Sequence, residues 1–445
     1  MNSFKLISIF LFAISVNANI HNGIANKWLE LSKEFGLDSK EHGFCYLYNG
    51  EIYGKTAHLK ARLASTSKPL TSLMALKTQG PNYEHQTEVI SDGRNIHLIG
   101  SDDGMFNEDK IFYLIGRLNA LGITELDNLS FDNYTPIFAI ALYSRMSMSE
   151  AWYSKEYNIE QLEEYFNLDT NKDIQSRLRR FLKNTPVEIL NELGISSRYS
   201  DYKMSTKRVF YSTRIPLIDY NYNFTLTAPK LLTYLKYQNS VSHNWLADIT
   251  YRSFGARSYG DWFLENLAEE SFGNDYYQKR IGFKDQEPHA LLYTGSGLDS
   301  KINDERVDNY ATCAIIVKAY EQLELELADY GKGLSDILPV AGVDIGTLAN
   351  RLNARRNLGS IMAKTGTLMN TKSLAGKLKT KSGDIFFGFF HHVYKANGSE
   401  QYNAKIVQDL MTEYLIEEFG GAKPLIYKRP KQFFPLKLSE AVLLE

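Results

Sequence analysis

A serine and a lysine three positions apart, Ser65 and Lys68, are the pair in this chain best suited to chemistry. At a helix start, the serine would lie beside unpaired backbone N–H groups, which can stabilise a developing oxyanion. The lysine would lie above it on the same helix face, where it could act as its base. Because Leu70, Leu73 and Met74 continue a helical pattern behind the pair, Ser65 is predicted to be a helix-start nucleophile.

A second short motif, Ser242-His243-Asn244, lies between two apolar helical patterns. A break between two helices would present Ser242 and Asn244 together. Ser242 could relay a proton to a leaving amine, and the Asn244 amide could hold both Lys68 and a substrate backbone. A helix cap with no further role is the alternative for this motif taken alone.

The third motif, Lys364-Thr365-Gly366-Thr367, precedes a predicted hairpin, so we expect it on a strand of the main sheet. Lys364 and the Thr365 hydroxyl can bind a substrate carboxylate, and Gly366 lets the strand backbone approach closely. The backbone N–H of Thr367 would then join that of Ser65 as the second oxyanion donor. The three motifs together predict acyl transfer to a serine.

Single matches to these motifs also arise by chance in this chain. Ser200–Lys203 repeats the Ser-x-x-Lys pattern and Lys381–Gly383 repeats the Lys-Ser-Gly pattern. The first lies in a polar segment typical of a solvated turn, and the second lies where a hairpin must turn. Neither segment offers the helix start or strand that the chemistry needs.

The elements expected to position the motifs come from both ends of the chain. Their patterns predict one antiparallel sheet covered by helices, an α+β fold. The predicted elements are a helix over Ile24–Phe35, a hairpin turning at Asn49-Gly50, a hairpin turning at 381–384 and a helix over Ala404–Phe419.

The middle of the chain has a different pattern and predicts an inserted β-rich domain at 78–231. Its elements include a hairpin at Asp92-Gly93 and a helix over Glu108–Leu121. The catalytic domain is therefore expected to comprise residues 19–77 and 232–445. Residues 1–18 have the charge, short apolar run and small-residue step of a signal peptide cut after Ala18, which predicts export to the periplasm.

Composition excludes several classes of protein. A net charge of −2 with interleaved acidic and basic residues gives no basic face for nucleic acid. The apolar run Leu6–Val16 is shorter than the roughly 20 residues that span a bilayer, and Pro435–Glu445 suggests at most peripheral membrane contact. No Cys or His cluster has the spacing of a metal site, and no cofactor is expected.

The two cysteines, Cys45 and Cys313, are compatible with one disulfide in an oxidising compartment. Cys45 lies in an apolar strand-like run and Cys313 in a helical run. These positions favour two buried thiols over a bond.

The ordered trio of motifs resembles that of penicillin-binding proteins and class A β-lactamases. The Gly295–Leu298 and Leu338–Asp344 stretches extend the resemblance to the class C, low-molecular-mass penicillin-binding proteins, which are D-alanyl-D-alanine carboxypeptidases and endopeptidases. The spacing of 177 positions from Ser65 to Ser242 matches the inserted-domain layout of that family.

The resemblance implies a transpeptidase-like fold and a Ser65 acyl-enzyme that acts on peptidoglycan stem peptides ending in D-Ala-D-Ala, with β-lactams as covalent inhibitors. Pro69 departs from the family pattern. Proline biases its predecessor away from helical angles, so the exact placement of Lys68 stays open at this level.

Two other functions stay open. A β-lactamase would need a fast deacylating water, and Tyr237–Asn239 and Glu270–Asn274 resemble motifs of two lactamase classes, although both fit helix interiors or ends. An inactive homologue would bind the cell wall through the same cleft without turnover.

Overall fold

The structure, a computed structural model, covers most of the chain in two compact units. It describes residues 20–37, 41–137, 155–215, 221–254, 290–298, 300–302, 305–393 and 398–427. Within these, unit 1 comprises 20–77, 238–242 and 290–427, and unit 2 comprises 78–237 and 243–254. The expected signal peptide, Glu270–Asn274 and Pro435–Glu445 lie outside the described residues. The division into catalytic and accessory domains stays a prediction, and residues 243–254 group with unit 2.

The described residues form ten α-helices and sixteen strands. The helices are α1 (20–34), α2 (Lys68–Gln79), α3 (Glu108–Ala120), α4 (Lys155–Tyr165), α5 (Lys172–Asn184), α6 (Val187–Glu192), α7 (Leu231–Val241), α8 (Asn244–Ser253), α9 (Cys313–Ala328) and α10 (Gly398–Glu418). The strands are β1 (Gly43–Tyr48), β2 (Glu51–Tyr53), β3 (Lys60–Arg62), β4 (Glu84–Ser91), β5 (Asn95–Ile99), β6 (Glu125–Leu126), β7 (Asn128–Phe131), β8 (Ser205–Thr206), β9 (Val209–Tyr211), β10 (Tyr222–Lys230), β11 (Ser300–Ile302), β12 (Glu305–Val307), β13 (Tyr310–Thr312), β14 (Ile361–Leu368), β15 (Thr371–Thr380) and β16 (Gly383–His392).

Unit 1 is built on a five-stranded antiparallel sheet with the strand order β14-β15-β16-β1-β2. The β1–β2 turn at Asn49 and Gly50 places both residues at positive φ, which asparagine and glycine tolerate best. Gly383, also at positive φ, forms the β15–β16 turn. Both predicted hairpins are therefore confirmed, and the ends of the chain meet in one sheet.

Successive side chains of β1 point to opposite faces of this sheet, and helices cover both faces. Phe44 and Tyr46 point to the core formed with α1 and α10, where Trp28 stacks on Phe44 with ring centroids 4.9 Å apart. Cys45 points to the opposite face, which α9 covers. The predicted α+β class, an antiparallel sheet covered by helices, is confirmed.

The interpretation of the cysteines as free thiols is wrong. Cys45 and Cys313 form a disulfide between β1 and the first residue of α9. The pleat of β1 directs Cys45 towards α9, and the Cα atoms lie 5.9 Å apart, within the range of such bonds. The two residues are 268 positions apart, so local sequence patterns carry no signal of their proximity.

Unit 2 contains a mixed sheet with the strand order β10-β4-β5-β7-β9. Its β4–β5 hairpin turns at Asp92 and Gly93 as predicted, whereas β7 pairs in parallel with β5 and β9. Helix α3 lies where the apolar stripe predicted it and contributes Ile111, Leu114 and Leu118 to the core of this unit.

Candidate active site

Ser65 lies in a 3-10 turn, Ala64–Ser67, that runs directly into α2. Ala64 has a φ of +50°, a left-handed conformation that non-glycine residues seldom adopt and that is often found at functional sites. The side chain of Ser65 is half-buried, and Thr66 and Ser67 behind it are fully buried. The turn thus presents the serine at the start of a helix, as predicted.

Pro69 does not displace Lys68. Lys68 has helical angles, φ −58° and ψ −38°, and its backbone N–H donates to the Ser65 carbonyl. Pro69 is the second residue of α2, in the first turn, where backbone N–H groups lack helical partners in any sequence. The missing N–H therefore costs the helix no hydrogen bond.

The Lys68 amine contacts the Ser65 hydroxyl. Its Nζ lies 2.8 Å from Ser65 Oγ and 2.8 Å from the backbone oxygen of Ser296, and the side chain is fully buried. The pair has the geometry of a nucleophile and its base. Sequence reasoning did not find the Ser296 contact, because a backbone carbonyl carries no residue-type signal.

Ser242 lies at the predicted break between α7 and α8 and has a φ of +59°. The Ser240 carbonyl, two residues earlier, accepts a hydrogen bond from Thr347 N at 3.0 Å. A Cβ at Gly346 would lie 2.0 Å from that carbonyl oxygen, so only glycine permits this approach. Asn244 is the buried first residue of α8.

Lys364 connects the second and third motifs. Its Nζ donates to Ser242 Oγ and to the Thr365 carbonyl, both at 2.8 Å. Burial, and next the positive charge of Lys68, lower the pKa of Lys364 well below its usual range. The Ser65–Lys68 and Ser242–Lys364 pairs therefore both lie in unit 1, and the positive charge of Lys68 acts on Lys364.

Gly366 lies on the predicted strand, β14, directly beside the nucleophile turn. A Cβ at this position would lie 2.7 Å from the Leu63 carbonyl oxygen and 3.0 Å from the Ala64 Cβ. The Ser373 hydroxyl on β15 donates to the same Leu63 oxygen at 2.7 Å. Strand and turn are therefore in contact, and a larger residue at 366 would separate them.

β14 is an edge strand of the sheet. The 339–341 segment bonds to Ile361 and Ala363 on its outer side. Backbone groups alternate along a strand, so Thr365 and Thr367 present their N–H and carbonyl groups to the same side. Among the described residues, no strand pairs with 364–368 there, which leaves room for an extended peptide.

A loop at 294–298, noted in the sequence only as a family-like stretch, also contacts the nucleophile turn. The Thr71 hydroxyl of α2 donates to the Gly295 carbonyl at 2.9 Å. Gly297 has positive φ, and a Cβ there would lie 1.8 Å from the Ala64 carbonyl oxygen. Close packing of this loop brings the Ser296 carbonyl to Lys68.

A cleft of about 710 Å³ opens beside the loop and β3, also within unit 1. Lys60, Arg62 and Arg306 supply positive charge to its walls, and Asp308 pairs with both arginines. The walls of the cleft therefore carry a net positive charge. Arg62, one of the lining residues, lies three positions before Ser65 in the chain.

The competing motif matches lie apart from these contacts. Ser200 lies in the exposed 3-10 turn Tyr199–Asp201, and Lys381–Gly383 forms the β15–β16 turn. Tyr237–Asn239 lies within α7, as expected for a helix interior, although the Asn239 amide donates to Ser72 Oγ of α2 at 3.0 Å. Across the described ranges, no three His, Cys, Asp or Glu side chains cluster as metal ligands. None of the helices described has the length and apolarity to cross a membrane.

Comparison with known proteins identifies a family match. The model of the D-Ala-D-Ala carboxypeptidase 3 (S13) family matches residues 46–157 and 225–414, about two thirds of the chain. No curated protein sequence matches significantly.

Solved structures with the same fold include a predatory endopeptidase from Bdellovibrio bacteriovorus in complex with an immunity protein. It has a TM-score of 0.73 and 23% identity, over 89% of this chain and 97% of that one. A second predatory endopeptidase from that organism, acylated by penicillin G, has a TM-score of 0.69 and 23% identity over the same shares of the chains. Penicillin-binding protein 4 from Haemophilus influenzae has a TM-score of 0.53 and 15% identity, over 86% of this chain and 99% of that one.

Proposed function

Because the chain belongs to the D-Ala-D-Ala carboxypeptidase 3 (S13) family of serine peptidases, we propose that it hydrolyses peptidoglycan stem peptides through an acyl-enzyme on Ser65. The observation that carries this proposal is the 2.8 Å contact between the Lys68 amine and the Ser65 hydroxyl. Ser242 and Lys364, which contact each other in the same unit, supply the side chains that act on the leaving group.

In the first step, neutral Lys68 takes the hydroxyl proton as Ser65 Oγ attacks the carbonyl carbon of the penultimate D-Ala. The backbone N–H groups of Ser65 and Thr367 stabilise the resulting oxyanion. The C–N bond then breaks as Ser242 donates its proton to the leaving amine and takes up the proton that Lys68 holds, which returns Lys68 to its neutral state. Water, deprotonated by the same lysine, hydrolyses the ester and restores Ser65.

Substrate recognition in this proposal centres on the C-terminal carboxylate. Lys364 and the Thr365 hydroxyl bind it, and the outer edge of β14 pairs with the extended peptide. The positive cleft beside the 294–298 loop accepts acidic parts of the stem peptide.

We propose both carboxypeptidase and endopeptidase activity, with β-lactams as covalent inhibitors. The similar endopeptidase that was solved acylated by penicillin G supports this. Purified pentapeptide and cross-linked muropeptides, analysed by mass spectrometry, test the proposal. We expect release of D-Ala from the first and of monomers from the second. Intact substrates after prolonged incubation with folded protein would overturn it.

We also propose that the protein is exported to the periplasm. The signal-peptide pattern of residues 1–18 and the Cys45–Cys313 disulfide support this location, because disulfides persist in oxidising compartments. Cell fractionation tests it: the mature protein should begin at Asn19 and appear in the periplasmic fraction. A full-length reduced protein in the cytoplasm would contradict it.

A further inference from the structure

We infer that Asn309 is a positioning residue for Lys68 that acts through the 293–298 loop. The inference rests on the proposed function, since it concerns the base of that reaction. Asn309 precedes β13, its side chain is buried, and no sequence motif marks it.

Both ends of the Asn309 amide hold the start of this loop. Its Oδ1 accepts hydrogen bonds from the backbone N–H groups of Tyr293 at 2.7 Å and Thr294 at 3.1 Å. Its Nδ2 donates to the Thr294 carbonyl at 2.6 Å. A buried amide with this many partners fixes the loop backbone in one conformation.

The same amide also holds the nucleophile turn. Nδ2 donates to Ser67 Oγ at 3.0 Å, and Ser67 Oγ donates to the Ala64 carbonyl at 2.8 Å. The Asn309 backbone oxygen accepts from Leu63 N at 2.9 Å. Asn309 therefore joins the turn that carries Ser65 to the loop that contacts Lys68.

The loop reaches Lys68 through the Ser296 carbonyl. Thr294 Oγ1 accepts a hydrogen bond from Gly297 N at 3.1 Å. The hydrogen bonds that begin at Asn309 therefore hold the loop at Thr294 and at Gly297, before and after Ser296. The Ser296 carbonyl oxygen then accepts from Lys68 Nζ at 2.8 Å.

This contact can set the direction of the base. A neutral amine has two hydrogens and one lone pair, and rotation about the last C–N bond of lysine points them anywhere. With one N–H directed to the fixed Ser296 oxygen, fewer orientations remain, and the lone pair can face the Ser65 hydroxyl. If the loop shifts, the hydroxyl and amine stay close but lose the alignment that proton transfer needs.

Three variants test the inference: Asn309→Ala, Asn309→Asp and Asn403→Ala. Asn309→Ala removes every amide contact. Asn309→Asp keeps the acceptor but replaces the N–H donor that faces the Thr294 carbonyl with an oxygen, and it adds a charge beside Ser67, the residue before Lys68. Asn403→Ala is the matched control, because it removes an amide bond to the Phe35 carbonyl in the same unit, away from the loop.

The readouts are the second-order rate of acylation by a fluorescent penicillin, its pH profile and the midpoint of thermal unfolding. We expect Asn309→Ala to slow acylation by about 10- to 100-fold, as a misplaced catalytic group does. Asn309→Asp should shift the pH of half-maximal acylation upwards by about one unit, because a nearby carboxylate favours the protonated ammonium. Asn403→Ala should change neither.

A merely structural role for Asn309 would lower the unfolding midpoint of Asn309→Ala without slowing the acylation of the folded variant. Unchanged acylation rates, or an unshifted pH profile in Asn309→Asp, would overturn the inference. If Asn309→Ala does not fold, the Asp variant alone decides. If the unmodified protein is not acylated at all, the proposed function fails instead, so the two failures are distinguishable.

Discussion

Two fully buried lysines, Lys364 in unit 1 and Lys110 in unit 2, lie in opposite electrostatic surroundings. Lys110 on α3 forms an ion pair with Asp103, which is also buried and accepts a hydrogen bond from Met105 N at 2.9 Å. Lys364 contacts the neutral oxygens of Ser242 and Thr365. Its hydrogen-bond partners in the described parts of the chain are uncharged, and burial lowers its pKa.

The difference distinguishes a charge that stabilises the fold from a charge that can bind a ligand. A buried ammonium that is already paired is neutralised within the fold, and its removal leaves the partner uncompensated. A buried ammonium among neutral oxygens has lost its hydration without gaining a counter-charge, so an anion that binds beside it stabilises it strongly. We therefore expect changes at Lys110 to affect stability, and changes at Lys364 to affect the recognition of a carboxylate.

The largest expected effect is on stability. Lys110→Met should lower the free energy of unfolding by about 3–5 kcal/mol, because it leaves Asp103 buried and unpaired. Urea unfolding measures this. The double variant Lys110→Met/Asp103→Leu removes both charges and should recover most of the loss. A change below about 1 kcal/mol in the single variant would show that the ion pair is not the structural element we describe.

Lys364→Ala should act on turnover instead. We expect the loss of a buried charged contact to cost about 2–5 kcal/mol, which corresponds to roughly 30- to 5,000-fold in kcat/KM for D-Ala-D-Ala peptides. Lys379→Ala is the matched control, since it removes a lysine of the neighbouring strand β15 outside the site. Equal rates for the Lys364 variant and the unmodified protein would rule out the assigned role.

Unit 1 also has a covalent restraint that the described part of unit 2 lacks, the Cys45–Cys313 disulfide. Replacing both cysteines by alanine should destabilise unit 1 by about 2–4 kcal/mol, as expected when a long loop is no longer closed. Proteolysis during thermal unfolding, followed by mass spectrometry, locates the change. Peptides from unit 2 should be released at the same temperature as before; an equal shift in both units would contradict the assignment.

The pH dependence of substrate binding should report on Lys364. An ammonium is charged below its pKa, so Lys364 loses its charge as pH rises through a value below the usual lysine range. We expect KM for carboxylate-bearing peptides to rise about tenfold as pH rises through that lowered pKa, whereas C-terminally amidated peptides should show no such rise. Identical profiles for the two substrates would separate the carboxylate from Lys364.

The smallest expected effect concerns Asp109 of α3, next to Lys110. Burial, and next the charge of Glu108, raise the pKa of Asp109 to about 6. The folded protein therefore holds this proton more tightly than the unfolded chain, so stability falls as pH rises from about 4 to about 6 and stays at the lower level above that. Asp109→Asn should add about 1 kcal/mol at pH 8 and nothing at pH 4. A gain that is equal at both pH values would contradict the charge explanation.

Local patterns were sufficient to predict the positions of the main elements and of the three motifs. One helical turn separates Ser65 from Lys68, so their contact follows from their spacing once a helix begins there. The turn at Asn49 and Gly50 likewise depends on the two residues that form it. Interactions between residues close in the sequence determine both features.

The features that sequence reasoning missed depend on contacts between distant residues. Asn309 and Ser67 are 242 positions apart, and Cys45 and Cys313 are 268 apart. The Ser296 carbonyl is a group that every residue has, so its role depends on loop packing and not on residue type. Pro69 shows the converse case: Lys68 has helical angles despite the local bias against them, and the proline falls in the first turn, where its missing N–H breaks no helical hydrogen bond.

The central claim is that Ser65 is the nucleophile, and intact mass spectrometry after incubation with penicillin G tests it most directly. The unmodified protein should gain the mass of one penicillin, with the adduct mapped to the peptide that contains Ser65, and Ser65→Ala should gain none. An adduct that persists in folded Ser65→Ala, or the absence of any adduct in the folded unmodified protein, would contradict the account.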